Sequence, residues 1–183
     1  SFESSAAKLG FQISGAIKQA SMDLLIQEMD EANVVKAVVP IRKTTGGDNH
    51  DIAKLQAEYP DRFLGFAWID PLQGASVLQD IDTFITNGSC TGIVMEPAID
   101  TTPIKWKADA EEIYLVYKLC EERDIPILFT WGGILSDFND YNPAQLLHIC
   151  KDFPNLQIVL AQGCFPWVHA ICQVALQCPN LYI

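Results

Sequence analysis

The segment Ile125-Pro126-Ile127-Leu128-Phe129-Thr130-Trp131-Gly132-Gly133 decides the fold class of this chain. It is a short, unbroken apolar run that stops on a glycine pair. Before it, Ile113, Val116, Tyr117 and Cys120 form an i, i+3, i+4, i+7 stripe, and Leu146, Ile149, Cys150 and Phe153 mark another helix after it. A strand that is apolar on both faces and lies between amphipathic helices belongs to a parallel sheet covered by helices.

The same unit recurs in both directions. Upstream strands are read at Gly92 to Glu96, closed by Pro97, at Phe63 to Ile69, closed by Asp70-Pro71, and at Val34 to Ile41. Downstream they are read at Leu156 to Ala161 and, just beginning, at Leu181-Tyr182-Ile183. A leading helix is expected from Ala16 to Ala32, on the spacing of Ile17, Ala20, Leu24, Leu25, Met29 and Ala32. The polar loop Arg42 to Asn49 precedes a helix that Asp48 or Asn49 can cap and that ends at Pro60-Asp61. Val77, Leu78, Ile81, Phe84 and Ile85 mark the next helix, and Trp167, Ile171, Val174, Ala175 and Cys178 the last.

Two architectures repeat strand and helix in this way, an open doubly wound sheet and a closed barrel. The open sheet usually carries a glycine-rich phosphate turn after its first strand, and neither G-x-G-x-x-G nor G-x-x-x-x-G-K occurs here. The expected fold is therefore α/β, of the (β/α)8 TIM-barrel type. Such a barrel needs eight units and about 250 residues. Residues 1–183 read as one barrel domain incomplete at both ends, with the first and eighth strands missing.

Composition narrows the function. Hydrophobic residues make up 49% of the chain and charged residues 19%, which suits a globular protein. A formal net charge of −11, with lysines and arginines scattered, makes nucleic acid and anionic membrane surfaces poor partners. No run of apolar residues is long enough to span a bilayer. Ser1 to Gly10 reads neither as a signal peptide nor, lacking Met, as a natural start. The six cysteines contain no C-x-x-C pair and several fall on apolar helix faces, the pattern of buried, reduced thiols in a cytoplasmic protein.

Several strings, taken in order, resemble the amidohydrolase-related (amidohydrolase 2) TIM-barrel family, in its aminocarboxymuconate-semialdehyde decarboxylase-like branch. They are Met29-Asp30-Glu31-Ala32 with Val35-Lys36-Ala37-Val38-Val39, and Tyr59-Pro60-Asp61-Arg62-Phe63 with Gly65-Phe66-Ala67 and Asp70-Pro71. Gly92-Ile93 to Glu96-Pro97, Leu119-Cys120-Glu121-Glu122 with Pro126-Ile127-Leu128, Phe153-Pro154 with Ile158-Val159-Leu160-Ala161, and Pro179-Asn180-Leu181-Tyr182 then match the family's fourth to seventh strands. The resemblance implies a metal held by a His-x-His on the first strand, histidines ending the fifth and sixth, and an aspartate ending the eighth. Here Thr130 and Gln162 stand where those two later histidines belong. A hydroxyl and a neutral amide are weak ligands for zinc and similar ions. No metal ligand is therefore assigned, and zinc or another divalent ion is expected only if the missing strands supply its ligands.

In a parallel barrel the working residues lie at the C-terminal strand ends. Glu96 is the candidate catalytic base there, or else the partner of Arg42 or a lysine at the rim. Arg42 is either a bidentate clamp for a substrate carboxylate or a solvated loop charge. Thr130 and Gln162 are expected to hydrogen-bond a ligand or water. Trp131, with Gly132 and Gly133, can stack a planar substrate over an anion-binding turn, or simply form a tight turn. His50, Asp70, His148 and Cys164 read more simply as a helix-start residue, turn chemistry, a surface residue and a structural thiol. The resemblance implies an enzyme that hydrolyses or decarboxylates a small carboxylated organic acid, lactone or amide, possible as a homodimer. The alternative is a degenerate barrel that binds a small molecule or serves as an assembly subunit.

Overall fold

Two serines break the leading amphipathic segment. In the computed structural model, which describes residues 8, 10–42, 46–97, 106–132 and 138–183, the expected helix over residues 16–32 is two helices, α1 (Gly15–Gln19) and α2 (Met22–Glu31). Ser14 Oγ accepts from Ile17 N, Ser21 Oγ accepts from Leu24 N, and Ala20 between them turns left-handed at φ 48°. Each serine satisfies an orphan amide of a helix first turn, so two caps replace the predicted continuous stripe. Ala16 N also donates to Glu28 Oε1 at 3.0 Å, tying α1 to α2. By chain contacts residues 1–37 form one compact unit and residues 38–183 another.

The second unit holds strands β1 (Ala37–Pro40, its first residue in the other unit), β2 (Phe63–Trp68), β3 (Gly92–Met95), β4 (Ile127–Thr130), β5 (Ile158–Ala161) and β6 (Leu181–Tyr182). They lie in the sheet in strict chain order, β1-β2-β3-β4-β5-β6, and each pair from β2 to β6 is parallel. An order that never reverses has no topological switch point, and this separates a barrel from a doubly wound sheet. The strands are one to four residues shorter than expected, because the apolar runs include approach residues such as Ile125 and Leu156. The helices are α3 (Asn49–Glu58), α4 (Ser76–Ile81, widening into a π turn over Asp82–Thr86), α5 (Tyr114–Glu122), α6 (Ala144–Asp152) and α7 (Val168–Ala175). Among the described residues no helix is long and apolar enough to cross a membrane.

Alternation along the strands sorts their side chains into two layers. Ile69, Ile93, Met95, Ile127, Phe129, Trp131, Ile158 and Leu160 pack under the helices, against Ile81, Val116, Tyr117, Cys120, Leu146, Ile149 and Ile171. Phe66, Val94 and Leu128 form the core of the opposite face, with Ile41, Leu64, Trp68, Val159 and Ala161 around them. The predicted stripes of α5 and α6 are buried as expected. Leu78 is the exception on α4, 39% exposed where Val77 and Ile81 are buried.

Polar side chains fix the seams between these layers. Asn180 is buried, and its Nδ2 donates to Phe153 O and Leu156 O, each at 3.0 Å, locking the end of α6 to the approach of β5. Gln56 of α3 accepts from Gly65 N and donates to Thr91 Oγ1. A Cβ at Gly65 would lie 2.9 Å from Ile52 Cγ1 and 3.2 Å from Ile52 O, so a glycine lets α3 approach β2 this closely.

Five of the six cysteines are buried and only Cys172 is exposed. Burial pushes the thiols of Cys120 and Cys150 up to about 12 and those of Cys90 and Cys164 up to about 11. The fold thus favours the neutral thiols. Their contribution to stability is complete below the ordinary thiol value of 9.0 and is lost as pH rises through the 11 to 12 range. In the native chain at mildly alkaline pH, a disulfide reagent such as DTNB is expected to titrate one thiol quickly, Cys172, and all six after denaturation. A second fast thiol would show that the core around one of the buried cysteines opens readily.

Candidate functional site

The site follows from the two-layer rule. In the register of β3 and β4, Val94 pairs with Leu128 and Met95 with Phe129. The next residues are Glu96 and Thr130. They fall in the same alternation as Val94 and Leu128, so they sit side by side on the inner face at the C-terminal strand ends. Both are buried, Glu96 at 4% and Thr130 at 3% exposure. Glu96 Oε1 accepts from Arg42 Nε at 2.5 Å. Glu96 Oε2 and Thr130 Oγ1 are buried without a hydrogen-bond partner among the described residues. Two adjacent buried oxygens of this kind are costly to a folded chain and mark a place built to meet a donor.

Arg42 lies two residues past the end of β1 and carries the one guanidinium at this mouth among the described residues. Its side chain is 29% exposed while that of Glu96 is 1% exposed, so the pair spans the rim from solvent to interior. Of the two roles open to Glu96 in the sequence, pairing with Arg42 is realised through Oε1, and Oε2 remains for another task.

Trp131 departs from its expected position as a stacking platform. One step beyond Thr130, it falls in the opposite alternation, is fully buried under the helices, and stands edge-on to Phe129 at 5.8 Å and Tyr141 at 6.3 Å. Its Nε1 donates to Tyr141 O at 3.0 Å. The aromatic residue at a C-terminal strand end of the inner row is instead Trp68, at the end of β2 in the same alternation as Phe66. Residue parity along the strand finds it only once the packing of Phe66 has shown which face is inner. Gly132 turns at φ +117°, and a Cβ there would lie 2.7 Å from Phe165 N, so the tight turn is real. Gly133 lies outside the described residues.

Gln162 is exposed and leaves the strand geometry at φ 72°, the first of three successive left-handed residues with Gly163 and Cys164. The register sets Ala161, not Gln162, beside Thr130. The structure therefore brings Arg42, Glu96 and Thr130 together and leaves Gln162 on the adjoining turn. Cys164 is buried and its Sγ donates to Tyr141 O at 3.4 Å. Asp70 Oδ1 accepts from Leu72 N, as turn chemistry requires. His50 lies exposed on the first turn of α3, above the capping box of Asp48 and Asp51, and His148 Nδ1 meets Asp109 Oδ2 at 2.8 Å on the surface.

The donor set at these strand ends does not fit the divalent ion that the family resemblance implies. A zinc-like ion prefers imidazole, thiolate and carboxylate. Here the strand ends present a hydroxyl, an exposed amide and one carboxylate whose Oε1 is held by Arg42. Among the described residues no three His, Cys, Asp or Glu side chains come together.

Comparison with solved structures places this sheet in the TIM-barrel fold. An uncharacterised TIM-barrel protein from Bordetella bronchiseptica superposes with a TM-score of 0.83 at 28% identity, over 97% of this chain and 63% of that one. The present chain thus spans less than two thirds of that protein. A 4-oxalomesaconate hydratase from Rhodopseudomonas palustris matches with a TM-score of 0.61 at 19% identity, over 93% of this chain and 56% of the hydratase. A 5-carboxyvanillate decarboxylase from Novosphingobium aromaticivorans, solved with manganese, matches with a TM-score of 0.62 at 17% identity, over 83% and 52% respectively. The latter two likenesses speak to the fold alone. No curated protein matches the sequence. The amidohydrolase sequence profile matches residues 20–183, which takes in every strand and all of the mouth, and the chain belongs to the amidohydrolase family.

Proposed function

We propose that this chain forms the greater part of a hydrolase- or decarboxylase-type barrel that acts on a small carboxylated organic acid, lactone or amide. One observation carries the reading: Glu96 Oε2 and Thr130 Oγ1 are buried at neighbouring C-terminal strand ends without a hydrogen-bond partner among the described residues, beside the Arg42 guanidinium. Family membership supports it, as do the activities of the hydratase and decarboxylase that share the fold.

In the hydrolytic form Glu96 is the general base. Its Oε2 takes a proton from the attacking water as the water oxygen bonds to the substrate carbonyl carbon, and the carbonyl electrons move to the carbonyl oxygen. Thr130 Oγ1 orients the water or the substrate oxygen. Arg42 holds the Glu96 carboxylate through Oε1 and draws an anionic substrate to the mouth of a chain that is otherwise strongly acidic. In this reading the chemistry of these residues does not depend on a divalent ion.

The test is a turnover screen of the full chain with carboxylated lactones and hydroxylated aromatic acids, before and after chelation, with elemental analysis of the same sample. Turnover of one class that survives chelation is the expected result. Turnover lost on chelation and restored by manganese or zinc would overturn the metal-independent chemistry. Binding without turnover of any class would leave a degenerate, ligand-binding barrel and overturn the enzyme reading.

A further inference from the structure

We propose that α4 and α5 carry a self-association face, on which two copies of this chain pair α5 against α5, antiparallel, about Leu115. Leu115 is 65% exposed and Leu78 39% exposed, two leucines left in water on neighbouring helices of the outer layer. Between them lies a groove of about 40 Å³, whose lining includes Val77, Leu78, Glu112, Leu115, Val116 and Leu119. An apolar cavity that holds a benzene ring measures about 150 Å³, so this groove takes the tip of an aliphatic side chain and not a ring or a cofactor.

The groove lies inside the sheet order. The helix α4 leads into β3 and α5 into β4, whereas the edge strands of the sheet are β1 and β6. Further strand–helix units of a barrel add at those edges, so the groove is not a seam that they would fill.

Charge selects a second copy of the chain as the occupant. With 23 acidic residues against 12 lysines and arginines, two copies repel over most of their surface, and a self-pairing face must set cations against anions. The exposed row of α5 does so. The 3-10 turn Glu111–Ile113 runs into α5, and Glu112, Leu115 and Lys118 are all exposed at three-residue spacing. When two such helices cross antiparallel about a two-fold axis at Leu115, residue 112 of each lies level with residue 118 of the other. The two leucines then meet at the axis, beside Leu78, and each Glu112 carboxylate reaches the second copy's Lys118 ammonium. A parallel pairing would set Glu112 level with Glu112 and Lys118 level with Lys118, so charge fixes the orientation as well. Within one chain Lys118 Nζ lies 3.9 Å from Glu122 Oε1, an exposed i, i+4 pair of small worth that leaves the ammonium able to turn to a new partner. Glu111 and Glu122 lie at the two ends of the row, on a rim where carboxylates keep their water.

The test is sedimentation velocity of the full chain over about 1–500 µM, with half-association expected at about 1–100 µM, the weak range that suits a small interface. Leu115→Asp suits the first turn of a helix and so keeps the fold, but it places two carboxylates at the axis, and it is expected to weaken association at least about tenfold. Glu112→Lys alone and Lys118→Glu alone are each expected to weaken it about threefold to tenfold, and the double swap to restore it within about threefold of the parent chain. Circular dichroism confirms the fold of each variant. A chain that stays monomeric throughout leaves the groove to a different partner and overturns the proposal, as does a dimer that Leu115→Asp leaves intact. Single swaps without effect, or losses that the double swap does not recover, overturn the antiparallel pairing.

Discussion

Replacing Glu96 with glutamine is expected to lower kcat/KM on any substrate that the turnover screen identifies by about 10²–10⁴-fold, the usual contribution of a general base. The substitution suits the site because it preserves shape. The amide oxygen still accepts from Arg42 Nε, as Oε1 does at 2.5 Å, and the side chain stays buried at its strand end. What disappears is a carboxylate oxygen, Oε2, that has no partner within the described residues and can take a proton. Steady-state kinetics across pH, alongside thermal unfolding, separate the two roles open to this residue. A base leaves kcat depressed at every pH with the midpoint of unfolding little changed. Full activity in Glu96→Gln would reduce Glu96 to a rim partner of Arg42 and move the base outside the described residues.

The second large effect concerns stability and comes from the residue next to a site residue. Trp131→Ala is expected to destabilise the fold by about 3–5 kcal/mol, the range for truncating a large buried aromatic side chain. The indole is fully buried, contacts Phe129 and Tyr141, and donates to Tyr141 O, so removal leaves a cavity and leaves that carbonyl with only the weak thiol donor of Cys164. Thr130→Val, one residue earlier, is expected to change stability by less than about 1 kcal/mol, because it removes a buried hydroxyl that has no partner among the described residues. Its effect should appear in ligand affinity or turnover. Urea unfolding of the two variants, with slopes compared as well as midpoints, decides the matter. If Thr130→Val were the more damaging to stability, the assignment of inner and outer faces on β4 would be reversed.

That pair also shows how far the sequence reaches. The apolar runs and helix stripes determined the parallel α/β architecture, because a strand buried on both faces must be apolar throughout and a helix packed on one face shows the period of its turn. The position rule for barrels and the substituted residues of the family pattern singled out Arg42, Glu96 and Thr130. Unbroken apolarity, however, erases the alternation that would tell inside from outside. Trp68 and Trp131 look alike in such runs, and only the register of β3 on β4 and the packing of the helices turned one toward the mouth and the other into the core. Local polar atoms were equally silent until placed. Ser21 reads as one more helix residue until its hydroxyl is seen on Leu24 N, and Asn49 as a second possible cap until its amide is seen on the backbone of Trp68. Sequence determines what each side chain can do, and contacts between residues far apart in the chain decide which of those capacities is used. The Arg42–Glu96 ion pair, joining residues 54 apart in the chain, is such a contact, and no local pattern encodes it.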